Sequence, residues 1–515
     1  MDERVNLVLL GCCVLLLVAV LAVRLASRAG LPTLLVYLAL GLAVGEAGLG
    51  VRFSDYGLTE DLGLMALALI LAEGGLTTRF ADVRPALPFA VLLSTFGVLI
   101  SVAVVAGASV LLLGVDVRTA VLLGSVVAST DAAAVFSVLR RLPLRPSLRS
   151  VLEAESGLND APTVVLVTVA SSAAWDTTGP WAIAGLVGYE LLVGLAVGLA
   201  LGGLGRVVLG RLALPSAGLY PIAAVGFVMT AFAGANAIHA SGFLAVYVAG
   251  LVVGSSRLPH RRAVLGFATS LALLAELGLF VLLGLLASPA RLVGAVPAAL
   301  VVGGFATLLA RPLAVALSAL PFRLPWRHQV FLGWAGLRGA VPIVLATVPV
   351  QTGVPGGTRV LDIVFVLVVV YTLIQAPTLP WVGRRLGVID AIGAADLQVE
   401  SAPLDEMRAD LLQVEVRKGS HLHGVYVDEL RLPTGAVVTL VVRDGRSTVP
   451  GPETRLQRGD SLLVVATTDS RRAAEDRLRA VSRDGKLARW YAAPAVAPAP
   501  SPAPRRWLWR RRARR

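Results

Sequence analysis

The sequence is poor in charge. Only 15% of its 515 residues are Asp, Glu, Lys or Arg, against about 25% in a soluble globular chain. Together with 56% hydrophobic residues and a mean hydropathy of +0.78, this shortage excludes an ordinary soluble enzyme and a disordered chain. Cysteine is nearly absent. Cys12 and Cys13 are adjacent in an apolar run and cannot staple a fold. Histidine is scarce, and His239, His260, His328, His421 and His423 lack the spacing to cysteine or acid partners that a metal site needs. The chain has no nucleotide loop and no convincing nucleophile–base set, which argues against an enzyme. Alternating ten-residue apolar segments are missing too, which argues against a transmembrane β-barrel.

What the chain does have is runs of about 20 apolar residues, the length of a membrane-crossing helix. Thirteen can be marked, at about 5–23, 31–49, 60–77, 86–114, 117–138, 149–171, 181–205, 218–237, 240–255, 264–286, 293–320, 328–350 and 360–383. The first follows Asp2, Glu3 and Arg4 rather than a positive segment, so it reads as a helix and not as a signal peptide. One set of alternate loops holds seventeen arginines, Arg24, Arg140, Arg261 and Arg384 among them. The opposite set holds five: Arg4, Arg52, Arg118, Arg291 and Arg359. This bias predicts a multi-pass cell-membrane protein with its N-terminus outside and its C-terminus in the cytoplasm.

Past residue 390 the composition changes. LLQVEV (411–416), AVVTLVV (436–442) and SLLVVAT (461–467) read as strands with turn signals between them, and DSRRAAEDRLRAV (469–481) reads as an amphipathic helix. The expected organisation is a membrane domain over 1–390, a small α+β cytoplasmic domain over 398–485, and a disordered Pro/Ala linker with an arginine-rich tail over 486–515. The fold class is therefore an all-α polytopic membrane protein of about thirteen helices with that α+β domain attached. The tail RRWLWRRRARR carries seven arginines and no acid, more than half of the net charge of +13, so the basic balance is no sign of nucleic-acid binding. With Trp507 and Trp509 the tail could grip anionic lipid, or it could simply be a solvated end.

Ionisable groups near the bilayer midplane are costly and point to function. The sixth run carries Glu155, Ser156, Asn159, Asp160 and Thr163 within an arc of roughly 140° on one helix face. Carboxylate, hydroxyl and amide oxygens in such a stripe can replace the first water shell of Na⁺ or K⁺, and the carboxylate of Asp160 can take a proton instead. The fifth run carries Ser129, Thr130 and Asp131, a triplet that favours helix breaks over helix interiors and so predicts a discontinuous helix with Asp131 at a half-helix N-terminus. The twelfth run carries Arg338 among Gly333, Gly336, Gly339 and Pro342, a second predicted break. A mid-membrane arginine requires a partner. Glu155 is favoured, with Asp131 or Glu276 as alternatives. Glu73 lies near the end of the third run and could join the site or snorkel. Two interrupted helices, at the fifth and twelfth runs, point to an inverted-repeat secondary transporter, and their odd offset of seven spans gives the opposed topology such a repeat requires.

These motifs resemble a known family. TDAAAVF (130–136), ESGLND (155–160) and GLRGAVPI (336–343), with AEGGL at Glu73, are similar to the monovalent cation:proton antiporter superfamily. The nearest branch is the NhaP type, which also includes animal sodium/proton exchangers. The resemblance covers about residues 5–385. It implies a homodimer with a dimerisation domain and a moving core, with crossed unwound helices at Thr130 and Asp131. It implies competition of cation and proton at Asp160, monovalent-cation ligands from Asp160, Ser156, Thr130 and Glu73, and a structural ion pair between Glu155 and Arg338. Asparagine at 159, before Asp160, implies electroneutral one-for-one exchange. The segment around 411–467 resembles the TrkA-C (RCK-C) type regulatory domain, which implies a small-molecule or nucleotide regulator. Combined, the two resemblances favour K⁺/H⁺ antiport by alternating access at Asp160, with no cofactor. The alternatives are a Na⁺/H⁺ antiporter for Na⁺ extrusion and, in a different class, a ligand-gated cation channel.

Overall fold

Each of the thirteen apolar runs contains helix in a computed structural model of the protein. It describes residues 3–29, 32–46, 48–51, 53–131, 144–177, 179–256, 258–389, 399–404, 409–416, 420–443, 445–467 and 469–488. The chain divides into two compact units, Met1–Asp390 and Ala391–Arg515.

In the first unit the helices are α1 (Glu3–Ala29), α2 (Thr33–Val44), α3 (Tyr56–Thr77), α4 (Leu87–Leu113), α5 (Val117–Ala128), α6 (Pro146–Ser171), α7 (Pro180–Arg211), α8 (Leu219–Ala237), α9 (Gly242–Gly254), α10 (Arg261–Leu286), α11 (Pro289–Phe322), α12 (Trp326–Trp334), α13 (Ala340–Leu345) and α14 (Gly357–Leu386). Their starts follow local chemistry. Asp55 accepts from Leu58 N at 2.9 Å ahead of α3, and Asp116 accepts from Thr119 N at 3.0 Å ahead of α5. Pro146, Pro180 and Pro289 sit in the first turns of α6, α7 and α11, where a missing N–H costs nothing. Six helices among the described residues, α4, α7, α8, α10, α11 and α14, are each long and apolar enough to cross a membrane. The chain is a membrane protein of many apolar helices, as its composition predicts.

Close approach is achieved with small residues. A Cβ placed on Gly250 of α9 would lie 3.1 Å from the Cα of Gly75 on α3, so both positions need glycine for the helices to meet.

Two of the runs are interrupted. Helix α5 stops at Ala128, and Ser129 is already extended (φ −63°, ψ 140°). The rest of the fifth run, 132–138, lies outside the described residues, as do 139–143. The twelfth run splits into α12 and α13, with residues 335–339 between them unwound. The two unwound stretches meet: Asp131 N donates to Leu337 O at 2.8 Å.

The second unit is a five-stranded antiparallel sheet of order β1-β2-β5-β3-β4, with strands at Val399–Leu404, Ala409–Glu415, Ser461–Thr467, Ala436–Arg443 and Arg446–Thr448 respectively, and a helix α15 (Arg471–Asp484). Leu412, Val414, Val464 and Ala466 alternate with outward-facing residues on β2 and β5 and form its core with Leu478 and Val481 of α15. Strand positions match the three apolar runs read there. The Pro/Ala linker and arginine tail from 489 onward lie outside the described residues.

Asp460 anchors this sheet. Its carboxylate takes two hydrogen bonds from Arg443, Nε and Nη2 each at 2.8 Å, and one from Gln457 N at 2.7 Å. Burial pushes the carboxyl up, but these donors outweigh it and hold it below its ordinary value. A lowered folded-state value means that the stabilisation is complete above the unfolded value of about 3.9 and is lost as pH falls through the folded one. Amide hydrogen exchange in β5 of the full chain is therefore expected to show opening that grows more favourable as pH drops below about 4. In Asp460→Asn this acid-dependent increment disappears. An increment that persists in the variant would assign the acid sensitivity to another group.

Candidate functional site

The site is built where α6 passes the two unwound stretches. Glu155, Asn159, Asp160 and Thr163 on α6 are all buried, and Ser156 on the same helix is half-buried. Pro162 lies inside α6 and has no N–H to give Leu158, which loosens the backbone beside Asp160. Thr163 Oγ1 turns back onto the helix, donating to Asp160 O at 2.8 Å and Asn159 O at 3.1 Å.

From the end of α5, Ser129 Oγ donates to Asp160 Oδ1 at 2.6 Å, and Thr130 Oγ1 donates to Glu155 Oε1 at 3.3 Å. Asn159 Nδ2 donates to Thr130 Oγ1 at 2.6 Å. The break in α5 thus supplies the hydroxyls that meet the polar face of α6. Asn159 Oδ1 is buried and has no hydrogen-bond partner among the described residues. A buried acceptor left dry costs about 1–3 kcal/mol, so water or a cation is favoured beside it.

Glu155 pairs with Arg311, not with Arg338. Both guanidinium ends of Arg311 reach the Glu155 carboxylate: Nη2 bonds Oε2 at 2.7 Å and Nη1 bonds Oε1. Both side chains are buried, at 2% and 8% exposure. A bidentate pair of this kind neutralises each charge where neither could stand alone. Arg311 was not among the residues read from the sequence. It lies inside the eleventh run ahead of Pro312, and the same rule that singled out Arg338 would have found it: an ionisable side chain well inside an apolar span.

Arg338 is satisfied differently. Its Nε donates to Val127 O at 2.9 Å and its Nη1 to Thr307 Oγ1 at 3.1 Å. It pairs with no acid among the described residues, Asp131 and Glu276 included. The physical reason is that Val127 belongs to the last turn of α5, whose carbonyls have no intrahelical partner. An arginine can serve those carbonyls as well as it serves a carboxylate.

The second break is held by α14. Gln375 Nε2 donates to Trp334 O at 3.1 Å, Thr372 Oγ1 donates to Arg338 O at 3.2 Å, and Thr378 Oγ1 accepts from Trp334 Nε1 at 3.1 Å. The Asp131 carboxylate lies against Gly339, just ahead of α13, and a Cβ on Gly339 would overlap Asp131 Oδ2. Gly339→Ala is therefore expected to drive the Asp131 side chain away while the protein still folds, and to abolish the cation–proton exchange that the resemblance implies. Parallel flux and fluorescence size-exclusion measurements check this; full flux with a monodisperse peak would show that Asp131 needs no fixed position.

Glu73 has a hydroxyl partner on another helix. On α3 it accepts from Thr269 Oγ1 of α10 at 3.1 Å, and it is half-buried. Among the described residues no group of three or more His, Cys, Asp or Glu forms a metal cluster. What the arrangement offers chemically is a buried carboxylate, Asp160, that receives a single hydroxyl hydrogen bond and has no cationic partner among the described residues. Both buried arginines among the described residues are committed, Arg311 to Glu155 and Arg338 to Val127 and Thr307.

Comparison with known proteins gives consistent matches. The family model described as sodium/hydrogen exchanger, transmembrane, matches residues 14–385, and the TrkA-C domain model matches residues 411–479. A protein named K(+)/H(+) antiporter NhaP, from Alkalimonas amylolytica, is 34% identical over 472 residues, covering 90% of this chain and 82% of that protein. The K(+)/H(+) antiporter NhaP2 of Shewanella baltica is 33% identical, covering 92% of this chain and 83% of its own. Among solved structures, the sodium proton antiporter MjNhaP1 of Methanocaldococcus jannaschii superposes with a TM-score of 0.64 at 22% identity, covering 75% of this chain and 99% of that one.

Proposed function

The chain belongs to the sodium/hydrogen exchanger family, and we propose that it exchanges a monovalent cation, K⁺ in preference to Na⁺, for H⁺ across the membrane. The observation that carries this reading is the state of Asp160. It is a buried acid inside the membrane domain whose contact is one hydroxyl, while the neighbouring acid Glu155 is neutralised by Arg311. An acid so placed must be protonated or hold a cation, because a bare carboxylate in that position is prohibitive. One guest excludes the other, and that exclusion is the coupling. Asn159, Ser156, Thr130 and Glu73 are the further oxygen donors of the proposal, and Asn159 Oδ1 is already positioned without a donor.

The preference for K⁺ follows the names of two relatives that match about nine tenths of this chain, both called K(+)/H(+) antiporters. Single occupancy of one carboxylate beside a neutral asparagine makes the exchange electroneutral. The rest of the proposal is a homodimer with its N-terminus outside, a cytoplasmic C-terminal domain, and control of exchange by a small ligand at the TrkA-C-like sheet. Proteoliposomes carrying a pH dye and pulsed with KCl or NaCl at several pH values test it. The expected result is cation-driven proton movement, larger with K⁺ and unchanged when the membrane potential is clamped. Cation flux without proton movement would instead identify a channel.

A further inference from the structure

A groove of about 530 Å³ opens between α11, α12 and the end of α14. Its walls are apolar: Leu308, Val330, Trp334, Trp381 and Val382, with Arg385 at one end. Leu308 and Trp381 are 69% and 62% exposed, so the groove faces outward rather than into the helix bundle. Its floor includes Thr307, which receives Arg338, and Gly333 and Trp334, the last turn of α12 before the break.

The arginine end is unusually cationic. Arg384 and Arg385 close α14, and a Cβ on Gly387, immediately after it, would lie 4.0 Å from Arg327 Nη1. Arg145 N donates to Val388 O at 3.3 Å, so that residue borders the same turn. Arg327, Arg384 and Arg385 form no ion pair with any acid among the described residues.

We propose that this groove binds one anionic phospholipid, with an acyl chain along the Trp334–Trp381 walls and the phosphate between Arg385 and Arg327. The chemistry on both sides fits one molecule. An apolar trough of this size takes a hydrocarbon tail, and the Arg385 guanidinium at its end, with Arg327 beside the following Gly387 turn and over the Trp326 ring, takes a phosphate. Charge complementarity selects the anionic lipid over a zwitterionic one. Bound there, the tail packs on Thr307 and Trp334, which hold the unwound stretch of the twelfth run. Occupancy of the groove therefore bears on the same break that meets Asp131.

The test uses the full chain in mixed vesicles of phosphatidylcholine and phosphatidylglycerol, read by native mass spectrometry of the retained lipid. Binding is scored without transport, so the result stands apart from the proposed exchange activity. The wild type is expected to retain phosphatidylglycerol over phosphatidylcholine by about ten- to thirtyfold. Arg385→Ala with Arg327→Ala brings the ratio close to one. Gly333→Leu keeps both arginines and fills the groove, since its Cβ meets nothing nearer than Pro312 Cα at 3.5 Å; it lowers retention of phosphatidylglycerol to that of bulk lipid. Equal retention of the two lipids by the wild type would overturn the proposal, as would an unchanged ratio in the double variant or in Gly333→Leu. Displacement of the lipid by glycerol phosphate alone would also overturn it, because the cations would then be a site for a soluble anion.

Discussion

Asp160→Asn is expected to insert, fold and carry nothing. Asparagine keeps the size of the side chain and can still accept from Ser129, which donates to Asp160 Oδ1 at 2.6 Å. What it loses, in the proposed exchange, is the charge that would admit a cation and the site that would hold a proton. Both half-cycles of the proposed exchange therefore stop together. Cation-driven proton movement in proteoliposomes should fall to the level of protein-free liposomes, at an unchanged elution volume on size exclusion. Removing an uncompensated acid from a buried position relieves a cost, so heat stability at neutral pH is expected to hold or rise. Wild-type flux in this variant would place the carrying carboxylate elsewhere. Loss of only one half-cycle, with cation–cation exchange surviving, would refute competition at a single acid.

The second large effect concerns the ion pair. Arg311→Ala strands the Glu155 carboxylate at 2% exposure with Thr130 as its remaining side-chain donor. Breaking a buried pair in this way costs about 3–5 kcal/mol, enough to lose most folded protein at growth temperature. Replacing both members, Arg311→Ala with Glu155→Gln, removes the stranded charge and is expected to recover most of that loss, which a double-mutant cycle closed by Glu155→Gln alone reads as strong coupling. The same cycle on Arg338 and Glu155 should be additive, because Arg338 bonds Val127 and Thr307 instead. Coupling between Arg338 and Glu155 equal to that of Arg311 would contradict the pairing described here.

The two pairs also show where sequence reasoning stops. Helices follow from apolar length, and both breaks follow from residues that dislike helix interiors: Ser129, Thr130 and Asp131 in one, Gly336 and Gly339 in the other. The polar face of α6 follows from the 3.6-residue repeat, which puts Glu155 beside Asn159 and Ser156 beside Asp160. All of these are properties of one segment at a time. The partner of Glu155 is a property of how separate helices pack, 156 residues apart in the chain, and no periodicity carries it. Arg338 drew attention because it stood among glycines. Arg311 stands in an apolar run with no helix-breaking cluster around it, and nothing local marks it as the partner of Glu155. Ser129 illustrates the reverse case, being visible as part of a helix-breaking triplet yet read only as backbone chemistry, although its hydroxyl is the group that touches Asp160.

The tie between the unwound stretches constrains the proposed exchange cycle. Asp131 N and Leu337 O join one to the other, and Arg338 closes the joint a second time on Val127. Sliding one past the other would leave the Asp131 N–H and the Arg338 Nε without their buried acceptors, a penalty above thermal energy. In the proposed exchange the two are therefore expected to move as one piece, with any bending that swaps compartments confined to the outer ends of the helices, where water can stand in for a bond that opens.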